Sequence, residues 1–364
     1  MIYKIALASM RGITVKVAQA IIDRFDDLSL FFSLSRQQLA EAFGSDSRLF
    51  ADEPRAKALA EASREMEFVT KNAIRLIFFT DASYPQRLIE CEDAPLLLYG
   101  IGTTDLNNAR FISIVGTRHA TAYGTRFVDD LIPALASTMA DPIVVVSGLA
   151  YGIDVAAHRS ALSASVPTIG VLAHGLNTIY PAAHRDTASR MIRAGGALLT
   201  DYRSIDAIHK GNFLARNRIV AGLSDCVIVV ESDSRGGAMS TARLAAAYSR
   251  DVFSLPGRYT DRFSRGCNSL IASHIAQIVT EPDDIIQAMN WKKRPENGSQ
   301  PSLPLDLNPD EEAIISLLTT NGQASLSEIL EVIDLPVHRL MSLLIDMESR
   351  SLLIALPGAN YRPL

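Results

Sequence analysis

The residues best suited to chemistry in this 364-residue chain lie in glycine-rich turns and one arginine cluster. Gly116-Thr117-Arg118 follows the apolar run Phe111–Val115, and Ser147-Gly148-Leu149-Ala150-Tyr151-Gly152 follows Ile143–Val146. A third turn, Arg235-Gly236-Gly237-Ala238, comes shortly after Val227–Val230. Glycine turns that lead from a strand into a helix can aim free backbone N–H groups at an anion. The cluster is Arg216-Asn217-Arg218, placed by the apolar pattern at the start of a helix. Cations oppose the helix dipole there, and a phosphate bound between them would remove the conflict. The alternative is that these arginines pair with Asp201 or Glu231.

Other chemistries lose their signatures. No Gly-x-Gly-x-x-Gly opens a helix, and none of the seven lysines follows a glycine, so neither a dinucleotide fingerprint nor a Walker A loop is present. Gly-x-Ser-x-Gly is absent around Ser147, which removes a hydrolase elbow. Asp154 and His158 stand four apart and could share a metal, but no second cluster has ligand spacing. Asp154 is therefore read as a helix cap and His158 as a packed side chain, with no catalytic residue, metal or cofactor expected.

Elements must hold those turns together. Strand patterns recur at Ile77–Thr80, Leu96–Tyr99, Phe111–Val115, Ile143–Val146, Thr168–Leu172, Ala197–Thr200, Val227–Val230 and Val252–Leu255. Helical patterns alternate with the later ones, at Phe127–Met139, Val155–Ser163, Asp186–Ala194 and Ser240–Tyr248. The fold class is thus α/β, a mostly parallel sheet covered on both faces, with the glycine turns along its carboxyl edge. Residues 1–72 read as a small helical domain with helices over Val15–Phe25, Leu39–Phe43 and Ala56–Phe68. Within it, Met10-Arg11-Gly12-Ile13-Thr14 has the form of a helix–hairpin–helix turn with Thr14 at the second glycine, and its reading is structural. Residues 73–290 carry the sheet, 291–305 read as a linker rich in Lys, Pro, Ser and Asn, and 306–364 as three short helices and a hairpin, the winged-helix pattern.

Charge separates these regions. The chain carries −5 overall, yet Arg110–Thr280 holds 17 basic against 12 acidic residues, a net +5. A basic middle domain fits a polyanionic partner. From Asp306 to Leu364 nine acidic residues face three arginines, so that region is expected to meet protein rather than DNA. Three scattered cysteines and the absence of an 18-residue apolar run or a secretory pattern suggest a reducing cytoplasm and no membrane.

Several motifs occur together in one order: Val115-Gly116-Thr117-Arg118 with Tyr123-Gly124, Ser147-Gly148 through Asp154 with Ala157-His158, Gly175 with Tyr180-Pro181, Arg216-Asn217-Arg218-Ile219, and Leu255-Pro256-Gly257. This set resembles the DNA-processing protein A (DprA/Smf) family over essentially the whole chain. The resemblance implies an extended Rossmann-like domain between a SAM or helix–hairpin–helix-like N-terminal domain and a winged helix. It also implies a non-enzymatic homodimer that binds and protects single-stranded DNA and loads the RecA recombinase in natural transformation. Carried over by motif, the nucleic-acid-binding positions are Gly116, Thr117, Arg118, Ser147, Gly148, Gly152, Arg216, Asn217, Arg218, Gly236 and Gly237. Leu214 stands where the family has proline, and Gly236 and Ala238 stand where it has serines. The competing class is a phosphoribohydrolase-like enzyme on a related fold, but the turn Arg235–Ala242 lacks that group's catalytic glutamate.

Overall fold

The computed structural model describes residues 1–294, 307–333, 335–350 and 352–363. Most of the expected linker, 291–305, lies outside the described residues. The chain divides into a unit Met1–Pro295 and a second unit Glu296–Leu364.

The first unit opens with α1 (Ile2–Ser9), α2 (Val15–Arg24), α3 (Leu28–Ser33), α4 (Arg36–Phe43) and α5 (Asp52–Lys71). Polar side chains start three of them: Thr14 accepts from the Val17 amide, Asp27 from Ser29, and Ser35 forms a capping box with Gln38. These helices share a core with the sheet, since Ile5, Leu7 and Phe31 belong to the same buried cluster as Phe78 and Leu98. A polar seam adds to it. The Glu65 carboxylate accepts from the Ser204 amide and hydroxyl at 2.9 and 2.6 Å, and Arg203 pairs with Glu61 at 2.7 Å.

Next come β1 (Arg75–Phe78), α6 (Gln86–Ile89), β2 (Leu97–Gly102), β3 (Arg110–Gly116), α7 (Ala122–Thr138), β4 (Ile143–Ser147), α8 (Ile153–Ser163), β5 (Thr168–Val171), α9 (Arg185–Arg193) and β6 (Ala197–Thr200). They continue into α10 (Lys210–Gly222), β7 (Cys226–Val230), α11 (Gly237–Ala247), β8 (Asp251–Ser254), α12 (Arg265–Ala272), β9 (Gln277–Ile278) and α13 (Pro282–Ala288). The nine strands form one sheet in the order β1-β2-β6-β5-β4-β3-β7-β8-β9. It is parallel from β6 to β9, with β1 and β2 added antiparallel at one edge. Strand residues alternate between two cores: Val144 and Val146 face one, Ile143 and Val145 the other. Because β4 and β7 both flank β3, the chain changes direction there. A crevice opens outside the carboxyl ends of β3 and β7, where doubly wound sheets hold ligands.

The second unit contains α14 (Pro309–Asn321), β10 (Ala324–Ser325), α15 (Leu326–Val332), α16 (Val337–Ser349), β11 (Leu353–Leu356) and β12 (Asn360–Pro363), with the strands ordered β10-β12-β11. Leu318, Leu340, Leu344 and Met347 are among its buried residues. Val337, Met341 and Ile345 recur every four residues along α16 and remain exposed.

Candidate functional site

The crevice at the β3–β7 switch point has a volume of about 300 Å³ and is lined by residues of the β3, β4 and β7 turns and of α10 and α11. Its contents differ from the sequence expectation in an informative way. The N–H groups of the first two glycine turns are expected from sequence to face a ligand, yet several are engaged inside the protein. Thr117 N–H donates to the Glu231 carbonyl at 2.7 Å, and the Thr117 carbonyl accepts from Ile153 N–H at 3.1 Å. Ala150 N–H donates to the Asp154 carboxylate at 3.3 Å. Gly116 and Gly152 serve close packing: a Cβ on Gly116 would overlap the Val230 carbonyl oxygen, and one on Gly152, whose φ is +76°, would overlap that of Thr117.

Ser147 is corrected from a ligand contact to an interior group, and Arg216, which lines the crevice, is nearly buried with its guanidinium spent on protein carbonyls. Ser147 is fully buried and its hydroxyl donates to the Ile114 carbonyl at 2.6 Å. The Arg216 guanidinium, only 5% exposed, donates to the carbonyls of Gly148 at 2.7 Å and of Val171. It thereby ties the ends of β4 and β5 together, and Gly148 is glycine because a Cβ there would overlap the guanidinium. Burial pushes the nearby Asp154 carboxyl up, and the positive Arg216 pulls it partly back. Burial likewise pushes the Arg216 guanidinium down, with Asp154 opposing.

Arg218 points elsewhere. It pairs with Asp201 and donates to the Asp93 carbonyl at 2.6 Å, so the carboxylate-pairing alternative holds for this residue. The dipole argument also changes, because α10 starts at Lys210, leaving Arg216 and Arg218 well inside the helix.

Other groups in and beside the crevice remain available to a ligand. The exposed Arg118 has no acidic partner among the described residues, and its guanidinium lies over the Phe213 ring at 5.6 Å. Asn217 lines it too, donating to the Gly237 carbonyl at 3.4 Å. Gly236 and Gly237 open α11, which has no side-chain cap and no acidic residue in its first turn. The first-turn N–H groups of Gly237 and Ala238 have no internal acceptor among the described residues, so the third turn presents free donors. The start of α10 is likewise uncapped and carries Lys210.

Sequence reasoning missed the aromatic side. Phe213 packs edge-on against Tyr180 at 5.7 Å, and Tyr180 is half exposed. Phe213 stands three residues before Arg216, and its place beside the basic motif is the signal that could have found it. Also unforeseen is Glu231, buried with φ +57°, whose carboxylate accepts from Thr121 N–H at 2.8 Å and Thr121 Oγ1 at 2.5 Å. It holds Thr121, the residue that caps α7, and Gly124 leaves room for it. The Tyr123 hydroxyl donates to the Pro256 carbonyl at 2.8 Å, which explains why Tyr-Gly and Leu-Pro-Gly occur together.

His158 lies deeper, with no exposure. The Thr168 hydroxyl donates to the Val145 carbonyl at 3.0 Å, so His158 Nδ1 carries the proton it shares with Thr168 Oγ1 at 2.7 Å. Nε2 has no partner. Burial, then His184 and Arg216, push this imidazole down to about 3. Below its ordinary value of 6.5 the unfolded chain takes up a proton that the folded chain does not. This residue's contribution should thus fall by about 1.4 kcal/mol per pH unit as pH drops toward the folded value. Thermal melts of wild type and His158→Leu between pH 7 and pH 5 check this. The expected outcome is a shallower acid loss in the variant, and parallel curves would contradict it. The comparison matters because Asp154 and Asp201, both pushed up by burial, act with the opposite sign.

Fold and crevice together define an extended Rossmann-type α/β protein whose carboxyl edge gathers cationic, aromatic and free N–H groups. The sequence model of the DNA recombination-mediator protein A family matches residues 75–290, and the chain belongs to that family. It is 32% identical over 290 residues to Protein Smf of Escherichia coli, covering 77% of this chain and 75% of that protein. It is 38% identical over 206 residues to DNA processing protein DprA of Streptococcus pneumoniae, covering 57% and 71%. The X-ray structure of DprA from Streptococcus pneumoniae aligns with TM-score 0.65 at 30% identity, over 80% of this chain and 98% of that one. A Helicobacter pylori DprA structure, described as showing a unique single-stranded DNA binding mode, aligns with TM-score 0.52 at 30% identity, over 60% and 97%. Among the described residues no helix is long and apolar enough to cross a membrane.

Proposed function

We propose that this protein binds single-stranded DNA along the crevice without chemical turnover and, as a cytoplasmic homodimer, protects incoming DNA and delivers it to the RecA recombinase. The observation that carries the reading is Arg118 lying over Phe213 beside the uncapped start of α11. The guanidinium and the N–H groups of Gly237 and Ala238 suit phosphate oxygens, and the exposed face of the Tyr180–Phe213 pair suits a stacked base. Family membership supports the recombination role. Turnover finds little help nearby: Glu231 is held by Thr121, Asp154 lies buried beside Arg216, His158 is sealed, and Asp233 at the lip pairs with Arg262 at 2.7 Å. The acidic second unit, with Val337, Met341 and Ile345 exposed on α16, suits contact with protein.

Binding of single- and double-stranded oligonucleotides over a salt series tests the reading. Single strands should bind more tightly, with little sequence preference and a steep loss with salt, because a flexible strand can enter a narrow crevice that a duplex cannot. Equal, salt-independent affinity for both forms would overturn it.

A further inference from the structure

The helical N-terminal region is electrically balanced, with ten basic and ten acidic residues over positions 1–72. Its charges are nevertheless unevenly placed. Arg11 in the α1–α2 turn, Arg48 ahead of α5, and Lys57 on α5 line one groove of about 680 Å³. All three are exposed, and none has an acidic partner among the described residues. Elsewhere in the region Lys4 pairs with Asp81 and Arg36 with Asp46. The remaining cations without an acidic partner among the described residues, Lys16, Arg24, Arg64 and Lys71, do not line this groove. The one acid in the groove, Glu61, is held by Arg203 at 2.7 Å. A concave surface with three unpaired cations and its acid already engaged concentrates positive potential.

The groove leads toward the crevice. It shares Ser9, Arg11 and Arg203 with a neighbouring cleft of about 700 Å³ between the N-terminal helices and the sheet. His209 and Asn212, at the start of α10, line the far side of that cleft. The next residue after Asn212 is Phe213, which lines the crevice. One turn of α10, carrying the exposed Lys210, thus stands between the two. Of the cleft's four acids, Asp201 and Asp206 are paired with Arg218 and Arg203, which reduces their repulsion of an anion. The exposed Glu92 and Asp93 line the cleft but not the groove, which leaves the Arg11 side the more favourable path.

We propose that Arg11, Arg48 and Lys57 form a second phosphate-binding groove, taking up the part of a single strand that leaves the crevice over the start of α10. The proposal rests on the reading of the crevice as a single-strand site. It also gives the α1–α2 turn a ligand-facing role through Arg11, while Thr14 remains a helix cap.

Two lengths of oligothymidylate separate the grooves, one of about 6 nucleotides, within the span of a single binding fold, and one of about 30. In the full chain, the combined variant Arg11→Ala, Arg48→Ala, Lys57→Ala should bind the short probe within about twofold of wild type. For the long probe its affinity should fall about tenfold or more, and the slope of log affinity against log salt should flatten by about 2, near 0.7 per lost contact. A charge-preserving variant, Arg11→Lys, Arg48→Lys, Lys57→Arg, should restore most of the slope. Wild-type affinity and slope on the long probe, or equal losses on both lengths, would overturn the proposal while leaving the crevice reading intact. Failure of the wild-type protein on both lengths would instead remove the crevice reading and this proposal with it.

Discussion

Replacing Arg216 by alanine should destabilise the Met1–Pro295 unit by about 3–5 kcal/mol, the cost of leaving two buried carbonyls without their charged donor. Two carbonyls, those of Gly148 and Val171, lose their donor at once, and the buried Asp154 carboxyl loses a nearby positive charge. The methylene stem leaves a void as well. In a unit of this size each kcal/mol shifts the melting temperature by about 2–4 °C, so a loss on the order of 10 °C is expected. Arg216→Lys should recover little, because one ammonium cannot reproduce a planar fork directed at two carbonyls. The salt dependence of DNA binding by the remaining folded protein should match wild type. A variant that melts normally but loses salt dependence would show instead that Arg216 meets phosphate directly.

Arg118 and Phe213 should behave in the opposite way. Arg118 is exposed, and its ring contact with Phe213 is the one interaction that orients it among the described residues. Arg118→Ala should leave the melting temperature within a degree or two, since an exposed side chain contributes little to stability. Single-strand affinity should fall, with the log–log salt slope flattening by about 0.7. Phe213→Ala should weaken binding by about 1–3 kcal/mol, roughly 5- to 150-fold, through the loss of one stacked base, with an unchanged slope. Losses should be similar for all base compositions, because phosphate contact and ring stacking do not read sequence. Titrations and melts on the same preparations separate binding from folding. Normal binding by both folded variants would rule out this face of the crevice.

The contrast among the three arginines shows where sequence reading stops. Arg118, Arg216 and Arg218 carry the same group in two motifs, and the sequence treats them as one phosphate-facing set. In the fold, Arg216 and Arg218 lie two residues apart on a helix, about 200° around its axis. One is driven into the β4–β5 edge and the other toward Asp201. The glycines divide in the same manner. Gly116, Gly148 and Gly152 are glycine because backbone or guanidinium atoms pass close to them, while Gly236 and Gly237 open the helix whose donors stay free.

What the sequence by itself determined is the set of elements and their order. Alternation of period two and runs of period 3.6 are local signals, so most strands and helices from Phe111 to Leu255 can be placed within a few residues. Helix α10 is different, since it begins at Lys210, a full turn and more before the apolar run that marks it. The carboxyl-edge location of the glycine turns follows from the parallel direction of the strands they leave, which puts all those strand ends at one edge. The short strand β9 and helix α1 carry too little of either signal. β9 spans two residues and has no period to read, while Ile2–Ser9 is only eight residues long and largely apolar, with no clear polar face. Only the tertiary structure decided which polar group each functional side chain meets. Those partners lie far apart in the chain, Thr121 and Glu231 by 110 residues, Arg216 and Gly148 by 68. Burial, charge and free hydrogen-bonding capacity are properties of such long-range pairs, and no local pattern of residue types encodes them.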